Sequence, residues 1–415
     1  MASKPRLLIV GGGLSGLCLA QALIQKGFDV AVFERDAGPD VRGQGYRLTI
    51  DAIGSHALHA CVPTKQYEFI RSSSGKTQRI GAFIFLDERA RELHRSQFEV
   101  ETNEQRGLIA GQVDRETLRR GLLSGIAQHV HFGKVFSRYE ERGEQILALF
   151  DDGSSAEGDA LVGADGVNSV VRQQRYPTLN PHYIGSSAIF GRTQVGNAKL
   201  PVLQRFLDAG GITALGPHGR AVFCTTMRFR EDPATVAARL GLDVGQISAK
   251  DYMMWAVVFR ADQFDDPLSA APDPAALRQI AFREVDGFNQ DFRTLVEHAE
   301  PNDAVLVPIR AMPRLKEQRA SRVTLIGDAI HIMPPFGARG ANTSLKDSQV
   351  LATVLSASAT SSMRTSIAAY ESDMRAYSYK AARSARQMMR LATADFPFKK
   401  AFLVTLLRIA GAFAK

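Results

Sequence analysis

The first part of the chain alternates apolar runs with glycine and polar positions. The apolar run Arg6 to Val10 predicts a short buried β-strand. After a glycine-rich stretch, apolar residues between Leu17 and Ile24 recur with the period of an α-helix, and Gly27 matches a helix C-cap. Val30 to Phe33 is a second apolar run. This pattern predicts a strand–helix–strand unit.

The middle of the chain has a different pattern. Runs rich in β-branched and aromatic residues at 188–193, 221–229 and 253–260 predict longer strands, separated by turns rich in Pro and Gly. Beyond them the pattern predicts a helix at 274–285, strands at Val305–Ile309 and Val323–Ile326, and a helix at Thr343–Ser356. Because α/β elements at both ends flank a more antiparallel middle, we expect one domain inserted into another.

The expected fold class is therefore α/β: a discontinuous Rossmann-like nucleotide-binding domain, an inserted and mostly antiparallel β-sheet domain that binds the substrate, and a C-terminal helical segment. The expected bounds are 1–77, 103–178 and 305–370 for the first domain, 78–102 and 179–304 for the second, and 371–415 for the last.

Composition adds limits on function. The chain has 415 residues, 45% hydrophobic and 23% charged, which is typical of a globular protein with more than one domain. The net charge of +8 lies entirely between Met374 and Lys415, where nine basic residues face one acid, Asp395. Since these basic residues lack interleaved aromatics, we do not expect nucleic acid to be a partner.

The residue pattern of the C-terminal segment predicts two helices. Basic residues form one stripe of the first helix: Lys380, Arg383, Arg386 and Arg390. The second has the spacing of a buried face: Phe402, Leu406, Ile409 and Phe413. This apolar stretch is shorter than the ~20 residues that span a bilayer. We expect the segment to pack across the two domains; contact of the basic helix with a membrane surface is a less favoured alternative.

The three cysteines, Cys18, Cys61 and Cys224, are far apart in sequence and odd in number. They match neither a disulfide framework nor the spacing of metal ligands, so no metal site is expected. No apolar run of signal-peptide length precedes the first strand. We therefore expect a cytoplasmic protein, monomeric or dimeric.

The first glycine motif is Gly11-Gly12-Gly13-Leu14-Ser15-Gly16, between the first strand and its helix. Gly11 allows a tight turn, Gly13 allows a pyrophosphate to approach the backbone, and Gly16 allows close packing of helix and strand. The N–H groups at the start of the helix favour phosphate. Glu34, followed by Arg35 at the end of the second strand, can accept hydrogen bonds from a ribose. A glycine-rich turn that binds no ligand is the alternative.

Two more glycine motifs follow. Residues 163–172 read GADGVNSVVR, with the turn Asp165-Gly166, and alone they are equally typical of an ordinary turn. Residues 327–342 read GDAIHIMPPFGARGAN and come directly after a predicted strand. Asp328 offers a carboxylate to a polyol, and the backbone N–H groups from Pro334 to Asn342 can hold the electron-rich edge of a flavin. His331 is favoured as a structural residue rather than as a base.

Together, in this order and spacing, the three motifs resemble those of the single-component flavoprotein aromatic hydroxylases. This group is typified by para-hydroxybenzoate hydroxylase and salicylate hydroxylase and includes the tetracycline-inactivating monooxygenases. The likeness extends from Arg6 to about Leu355, although the middle resembles the family only in layout. It implies the flavoprotein hydroxylase fold, with FAD as cofactor.

The resemblance implies roles for individual residues. Those matching the FAD-binding positions are Gly11, Gly13, Leu14, Ser15, Gly16, Glu34, Arg35, Arg42, Arg115, Asp165, Gly166, Asp328, Gly337, Gly340, Ala341 and Asn342. Pro335 matches the proline near the reactive flavin carbon. The chain departs from the family at Arg47, where many members have glycine, so a bulky cation is expected near the edge of the flavin ring. Arg47 and Pro335 are the candidate catalytic residues.

The family's chemistry implies a monooxygenase. NADPH or NADH would reduce the flavin, and dioxygen would form a flavin hydroperoxide that hydroxylates an aromatic or polycyclic, natural-product-like small molecule. No second dinucleotide turn is visible, which agrees with transient docking of the nicotinamide in the family. The alternatives are an epoxidase or an isoprenoid-type reductase on the same fold, or a flavin-binding protein without oxygenase activity.

The substrate is expected between the flavin and the inserted sheet. Alternation places Phe223, Thr225 and Met227 on one face of their strand, and Met253, Trp255 and Val257 together on theirs. Of these, Phe223, Thr225, Met227 and Trp255 are the candidate substrate residues. That they are only core residues is an equally favoured alternative.

Overall fold

The structure is a computed structural model. It describes residues 5–41, 45–76, 80–99, 107–109, 111–247, 249–260, 273–316, 319–357, 362–393 and 405. Two predictions fall outside the described residues: Arg42 as a cofactor contact, and the apolar face formed by Phe402, Leu406, Ile409 and Phe413.

The described residues form strands that we number in chain order: β1 Arg6–Val10, β2 Asp29–Phe33, β3 Leu48–Ile50, β4 Ile80–Asp87, β5 Glu92–Glu99, β6 Gly111–Val113, β7 Val130–His131, β8 Phe136–Arg142, β9 Gln145–Phe150, β10 Ser155–Gly158, β11 Ala160–Gly163, β12 His182–Gln194, β13 Gly210–Leu215, β14 Ala221–Met227, β15 Tyr252–Arg260, β16 Val305–Ala311 and β17 Val323–Leu325.

Helices connect and cover these strands. The described helices are Leu14–Gln25, Ala52–Cys61, Thr64–Ser72, Arg115–Leu123, Val170–Arg175, Gln204–Leu207, Pro233–Leu240, Pro274–Glu284, Gln290–Glu297, Arg339–Ser356 and Met363–Thr393, with 3-10 turns at Ala127–His129 and Gly327–Ala329.

A parallel five-stranded sheet forms the nucleotide-binding half, in the order β17-β11-β1-β2-β7. Its strands are continuous apolar runs because both faces are covered: the helix Leu14–Gln25 packs against β1 and β2, and the antiparallel sheet β10-β9-β8 packs against β1 and β11. In β1, the residues from Leu7 to Val10 are all buried. β11 and β17 bring the second and third glycine motifs to the same end of this sheet as the first, since the carboxyl ends of parallel strands share one edge.

A seven-stranded sheet forms the other half, in the order β16-β12-β15-β14-β13-β4-β5. Its pairings are antiparallel except for the parallel pair β13 and β4. The helices Pro274–Glu284 and Gln290–Glu297 pack on one face of this sheet and close a second hydrophobic core. The α/β fold with a mostly antiparallel second sheet is as the sequence predicted.

The C-terminal helix Met363–Thr393 contacts both halves. Tyr370 and Met374 belong to the core of the parallel sheet, whereas Met389 packs against residues of the seven-stranded sheet. The helix begins before residue 371, so the predicted boundary there falls inside one continuous helix. None of the described helices is long and apolar enough to cross a membrane.

Candidate FAD cleft and active site

The first glycine turn is shaped by two close backbone approaches. Gly11 has φ +111°, and a Cβ on it would lie 2.3 Å from the Ala164 carbonyl oxygen. A Cβ on Gly16 would lie 2.1 Å from the Gly11 carbonyl oxygen. By contrast, a Cβ on Gly13 would meet nothing within 4 Å. The fold itself therefore requires glycine at positions 11 and 16, but leaves open space above position 13.

Glu34 and a buried arginine hold this turn. The Glu34 carboxylate is 5% exposed and accepts hydrogen bonds from the N–H groups of Gly12 (2.7 Å) and Asp36 (3.0 Å). The Arg119 guanidinium donates to the carbonyl oxygens of Gly12 (3.3 Å) and Pro39 (3.1 Å). The sequence reasoning missed Arg119. Its position one helical turn after Arg115, on the buried face of an amphipathic helix, was the available signal.

The second motif lies against the first. Asp165 accepts a hydrogen bond from the Val170 N–H (2.8 Å) at the start of the helix Val170–Arg175, whose N-cap is Ser169, and Gly166 turns the chain with φ +75°. Burial raises the pKa of Asp165, and its Oδ1 atom is buried without a partner among the described residues. Arg172, which sequence reasoning also missed, donates to the Ala329 carbonyl oxygen (3.0 Å) and joins this motif to the third.

The third motif reaches the helix of the first. Gly327 has φ +62°, and a Cβ on it would lie 2.9 Å from Ser15 Oγ. Ser348 Oγ donates to the Ser15 carbonyl oxygen (2.9 Å). Asp328 lies in the turn that follows β17 and is exposed. Its carboxylate is therefore accessible beside the start of the first helix.

His331 lies beneath this turn as a structural residue. Its Nε2 lies 2.5 Å from Asp347 Oδ2, and the Asp347 carboxylate also accepts hydrogen bonds from the Gly327 N–H (2.7 Å) and the Tyr377 hydroxyl (2.6 Å). Burial alone would lower the pKa of His331, but the adjacent Asp347 carboxylate raises it above its usual value overall. The histidine fixes the turn rather than facing the cleft.

The loop after His331 leads into the helix Arg339–Ser356. Pro335 and Gly337 are exposed, Gly340 and Ala341 are half-buried, and the helix begins without a side-chain cap. Its first N–H groups are therefore available to a ligand. Asn342 ties the loop to β3, because its side chain donates to the Thr49 carbonyl oxygen (2.9 Å) and accepts from the Asp51 N–H (3.0 Å).

These contacts bring the three motifs into one cleft. The first motif contacts the second at Ala164 and the third at Ser15. The loop from Pro334 to Asn342, which we call the ring loop, contacts β3 through Asn342. The uncapped helix Leu14–Gln25, the open space above Gly13 and the partnerless Asp165 oxygen fit an extended dinucleotide. The residues present therefore suit FAD.

The remaining predicted cofactor residues lie around this cleft. Leu14 and Ser15 are half-buried at the start of the first helix, and Arg35 is exposed beside Glu34. Arg115 is exposed at the start of its helix, next to Gly45.

Arg47 is buried where the two halves meet. Its side chain donates to Thr49 Oγ1 (2.6 Å), and its guanidinium lies 5.3 Å from the centre of the Phe223 ring. Arg47 is 7% exposed, and its Nε has no partner among the described residues. Burial lowers the pKa of this guanidinium to about 10.

The sheet register corrects one predicted substrate residue. Phe223, Thr225 and Met227 pair with Ala256, Met254 and Tyr252, so these side chains share the face directed at β3 and β6. Gln112 of β6 donates to Thr225 Oγ1 (3.0 Å) from that side.

Trp255 lies on the opposite face of the same sheet. It pairs with Cys224, is fully buried in the helix-covered core and donates to Thr193 Oγ1 (3.3 Å). The prediction that Trp255 lines the substrate cavity is therefore wrong, because alternation along one strand does not reveal which face meets the cofactor.

A second buried contact between the halves was not predicted. The Tyr252 hydroxyl donates to Asp114 Oδ2 (2.9 Å), and Asp114 Oδ1 accepts from the Thr117 N–H (2.9 Å) at the start of the helix Arg115–Leu123. The sequence signal was only that of a helix N-cap. This contact fixes the helix that carries Arg115 and Arg119 against the seven-stranded sheet.

A cavity of about 420 Å³ lies next to Arg47, where β3 and β6 face the ends of β4, β13 and β14. The side chains that characterise it are Arg47, Thr49, Lys76, Phe83, Gln112 and Arg228. Its volume lies within the range of small-molecule sites, roughly 300–1,000 Å³.

The fold and the cleft define a protein of the FAD-binding class, and comparisons with known proteins agree. Residues 276–385 match the FAD binding domain family, and residues 9–66 match the NAD(P)-binding Rossmann-like domain family. The chain thus combines an FAD-binding domain with the strand–helix–strand unit predicted from its first residues.

Similar proteins are FAD-dependent monooxygenases. The dual O-methyltransferase/FAD-dependent monooxygenase CTB3 of Cercospora beticola is 31% identical over 90% of this chain and 44% of that protein. The 3-amino-4-hydroxybenzoate 2-monooxygenase PtnB3 of Streptomyces platensis is 26% identical over 85% of this chain and 80% of that protein. This chain spans less than half the length of the Cercospora protein.

Solved structures share the whole fold. A crystal structure from Photorhabdus luminescens, described as an FAD-containing monooxygenase, has a TM-score of 0.78 and 27% identity, covering 95% of this chain and 100% of that chain. The family resemblance predicted from the three glycine motifs, to the FAD-dependent aromatic hydroxylases, is confirmed.

Proposed function

We propose that the chain is an FAD-dependent monooxygenase that consumes NADPH or NADH and dioxygen and hydroxylates an aromatic or polycyclic small molecule. The observation that carries this proposal is the position of the cavity of about 420 Å³. It is lined by Thr49, whose carbonyl oxygen binds Asn342 of the loop expected beneath the flavin ring. A substrate in this cavity would lie next to that loop.

The residues proposed to hold FAD would bind different parts of the cofactor along the cleft. The turn Gly11–Gly16 and its helix would bind the pyrophosphate, Glu34 the ribose, and Asp328 the ribityl chain. The uncapped N–H groups near Gly340 would face the ring. Bound FAD would supply the redox chemistry, accepting a hydride from the nicotinamide and activating dioxygen.

The protein side chains would orient the substrate and exclude water. Arg47 provides a positive charge at the cavity wall, where its guanidinium packs over the Phe223 ring, and Phe83 provides an apolar side chain of the cavity lining. Thr225 and Met227 are fully buried and do not line the cavity, which β14 meets at Thr226 and at Arg228 just after the strand, so these two predicted substrate residues belong to the core. Pro335 is exposed at the ring loop and is proposed to lie beside the reacting atoms.

The other sequence predictions remain part of the proposal. They are the division into an FAD-binding and a substrate-binding domain, with the C-terminal segment starting at the helix Met363–Thr393 and not at residue 371, and a monomeric or dimeric state. A cytoplasmic location is also proposed, which suits three cysteines that are free and buried. The similarity to an aminohydroxybenzoate monooxygenase supports an aromatic substrate.

The test uses the purified protein loaded with FAD. NADPH and NADH oxidation is followed in air with a panel of phenolic and polycyclic compounds, and the masses of the products are measured by mass spectrometry. Stimulation of oxidation by one compound, with a product heavier by one oxygen atom from labelled dioxygen, supports the proposal. Reduction of a compound without oxygen uptake would favour a reductase instead, and a protein that binds no flavin would contradict the proposal entirely.

A further inference from the structure

A second, smaller pocket lies against the C-terminal helix Met363–Thr393. Its other walls are the segment 312–315, which follows β16, and the segment 330–332, which follows the turn Gly327–Ala329. It shares no lining residue with the cavity beside Arg47. Its volume is about 30 Å³. One water molecule requires roughly 10–15 Å³, so the pocket has room for a small ion.

The charge of this pocket comes from three arginines, Arg314, Arg375 and Arg386. No Asp or Glu is among the described residues that line it, and none of the three arginines forms an ion pair with an acid of the described residues. Arg314 packs over the Tyr379 ring at 4.8 Å, and Arg386 Nε donates to the Ala382 carbonyl oxygen (3.4 Å). The positive charge of the pocket is therefore not neutralised by its own walls.

Two buried polar side chains of the pocket lack good partners. His331 is 5% exposed, and its Nε2 is bound to Asp347, whereas its Nδ1 is buried without a partner among the described residues. Ser378 is also 5% exposed, and its hydroxyl has one described hydrogen bond, to the weak acceptor Met374 Sδ (3.5 Å). Because buried polar groups are normally hydrogen-bonded, these side chains indicate a bound water or ion.

The chemistry of the pocket favours an anion over water. Burial alone would lower the pKa of His331, but the Asp347 carboxylate raises it overall, and the protonated imidazole is a donor at both nitrogens. The Ser378 hydroxyl can donate, and the half-buried Arg375 guanidinium only donates. A water molecule would accept these hydrogen bonds without balancing the charge, whereas an anion does both.

We propose that this pocket binds a small inorganic anion such as chloride. Arg375, His331 Nδ1 and the Ser378 hydroxyl donate to it. Arg314 and Arg386 add positive charge at the sides of the pocket. The site is separate from the FAD cleft and from the substrate cavity, and it does not depend on the proposed function.

The anion site is connected to the third glycine motif. The Asp347 carboxylate, which binds His331 Nε2, also accepts from the Gly327 N–H (2.7 Å) in the turn that carries Asp328. An anion at Nδ1 favours the charged imidazole and so strengthens its pair with Asp347. Bound anion should therefore stabilise the folded protein.

Chloride binding to the FAD-loaded full chain tests this site. Bound FAD covers the helix N-terminus of the first glycine motif, which otherwise attracts anions itself. The line width of the chlorine NMR signal is measured as chloride replaces gluconate at constant ionic strength, and thermal unfolding is followed in the same solutions. We expect saturable line broadening by the protein and a higher melting temperature in chloride than in gluconate.

Variants locate the site. Arg375→Gln should weaken chloride binding about tenfold, since it removes a charge-assisted hydrogen bond, and Ser378→Ala should weaken it severalfold. Ser378→Ala provides the same test if Arg375→Gln does not fold. Arg383→Gln is the matched control, because Arg383 is exposed on the same helix and does not line the pocket. Arg47→Met is a second control, because Arg47 lines the other cavity.

An absence of saturable broadening by the native protein would overturn the inference. So would equal affinity for chloride in the native protein and in both pocket variants. Weaker binding in Arg47→Met, with unchanged binding in Arg375→Gln and Ser378→Ala, would also overturn it, because chloride would then lie in the other cavity. In crystals of the FAD-loaded protein soaked in bromide, an anomalous peak between Arg375, His331 and Ser378 is the expected result, and no peak there would contradict the site.

Discussion

At the scale of single residues, Gly13 and Gly16 lie in the same turn but are glycine for different reasons. A side chain on Gly16 would collide with the Gly11 carbonyl oxygen, whereas one on Gly13 would enter open space. The protein's own packing explains the first residue. For the second, we propose that a bound pyrophosphate approaches the backbone closely.

We therefore expect Gly13→Ala and Gly16→Ala to behave differently. Gly13→Ala should fold in the absence of FAD and lose at most about 1 kcal/mol, since φ is −77° there, the site has room for a methyl group, and only the preference of an N-cap for glycine opposes it. Its affinity for FAD should fall by about tenfold or more, because the methyl group would meet the pyrophosphate. Gly16→Ala should lose stability with or without FAD. Thermal unfolding and flavin fluorescence titration measure both effects.

Equal loss of stability in the two variants would contradict the assignment of Gly13 to the ligand. So would an unchanged affinity of Gly13→Ala for FAD.

His331 predicts a pH dependence of stability. Although burial opposes its charge, Asp347 raises the pKa of His331 above its unfolded value of about 6.5 overall. The folded state therefore binds the proton more tightly, so this contribution is complete below about pH 6.5 and is lost as the pH rises through the raised pKa. We expect the free energy of unfolding to fall over that window in the native protein.

The variant His331→Asn should remove this fall, while Tyr377 and Gly327 keep their hydrogen bonds to Asp347. Urea unfolding at a series of pH values, with His129→Asn as a control at a partly exposed histidine, measures the difference. A parallel pH profile in native protein and His331→Asn would exclude this role of the ion pair.

At the scale of elements, the two faces of the seven-stranded sheet differ: one is covered by helices and forms a core, and the other faces β3 and β6. Trp255 packs on the helix-covered face against Gly191, where a Cβ would lie 2.2 Å from the indole ring. Phe223 lies on the other face, beside Arg47. Neighbouring strands thus place one aromatic residue in the helix-covered core and the other against Arg47, which lines the cavity.

Trp255→Ala should destabilise the protein by about 3–5 kcal/mol, because it leaves a large cavity in the core. Phe223→Ala should cost less stability, since Phe223 is only half-buried, but should weaken the binding of aromatic ligands. Urea unfolding followed by circular dichroism, together with equilibrium dialysis of the phenolic and polycyclic compounds used to test the proposed function, separates the two effects. If Trp255→Ala weakened ligand binding at unchanged stability, the assignment of the faces would be reversed.

At the scale of the whole molecule, the C-terminal helix Met363–Thr393 holds the two halves together. Near its start, the Tyr370 hydroxyl donates to the Leu325 carbonyl oxygen of β17 (3.0 Å). Nearer its end, Met389 packs with Ala188, Val258 and Ile309 of the other sheet. The exposed residues Lys380, Arg383 and Arg390 carry its positive charge on the opposite side.

Met389→Ala should therefore lower the free energy of unfolding by about 2–5 kcal/mol. The sole tryptophan, Trp255, lies in the core of the seven-stranded sheet, so its fluorescence reports on that half during urea unfolding. Arg383→Gln on the exposed side of the same helix is the control and should change stability by less than about 0.5 kcal/mol. A Met389→Ala protein as stable as Arg383→Gln would mean that the helix end does not join the halves.

The sequence by itself determined the local elements and the cofactor motifs. The periods that distinguish strands from helices can be recognised from residues close together in the sequence. The sequence therefore predicted β1, the helix Leu14–Gln25, β14 and β15. Glycine turns such as Gly11–Gly16 are equally local, since a short stretch of backbone sets what they can bind.

Only the tertiary structure decided how these elements face one another. Which side of β15 meets the cofactor depends on pairing with β14 and on the helices that cover the sheet, so Trp255 was misplaced. Likewise, Arg119, Arg172 and the Tyr252–Asp114 contact act through partners far away in the chain. A helical period can place Arg119 on a buried face, but it cannot identify the partner of any of these residues, because the distance that matters is in space and not along the sequence.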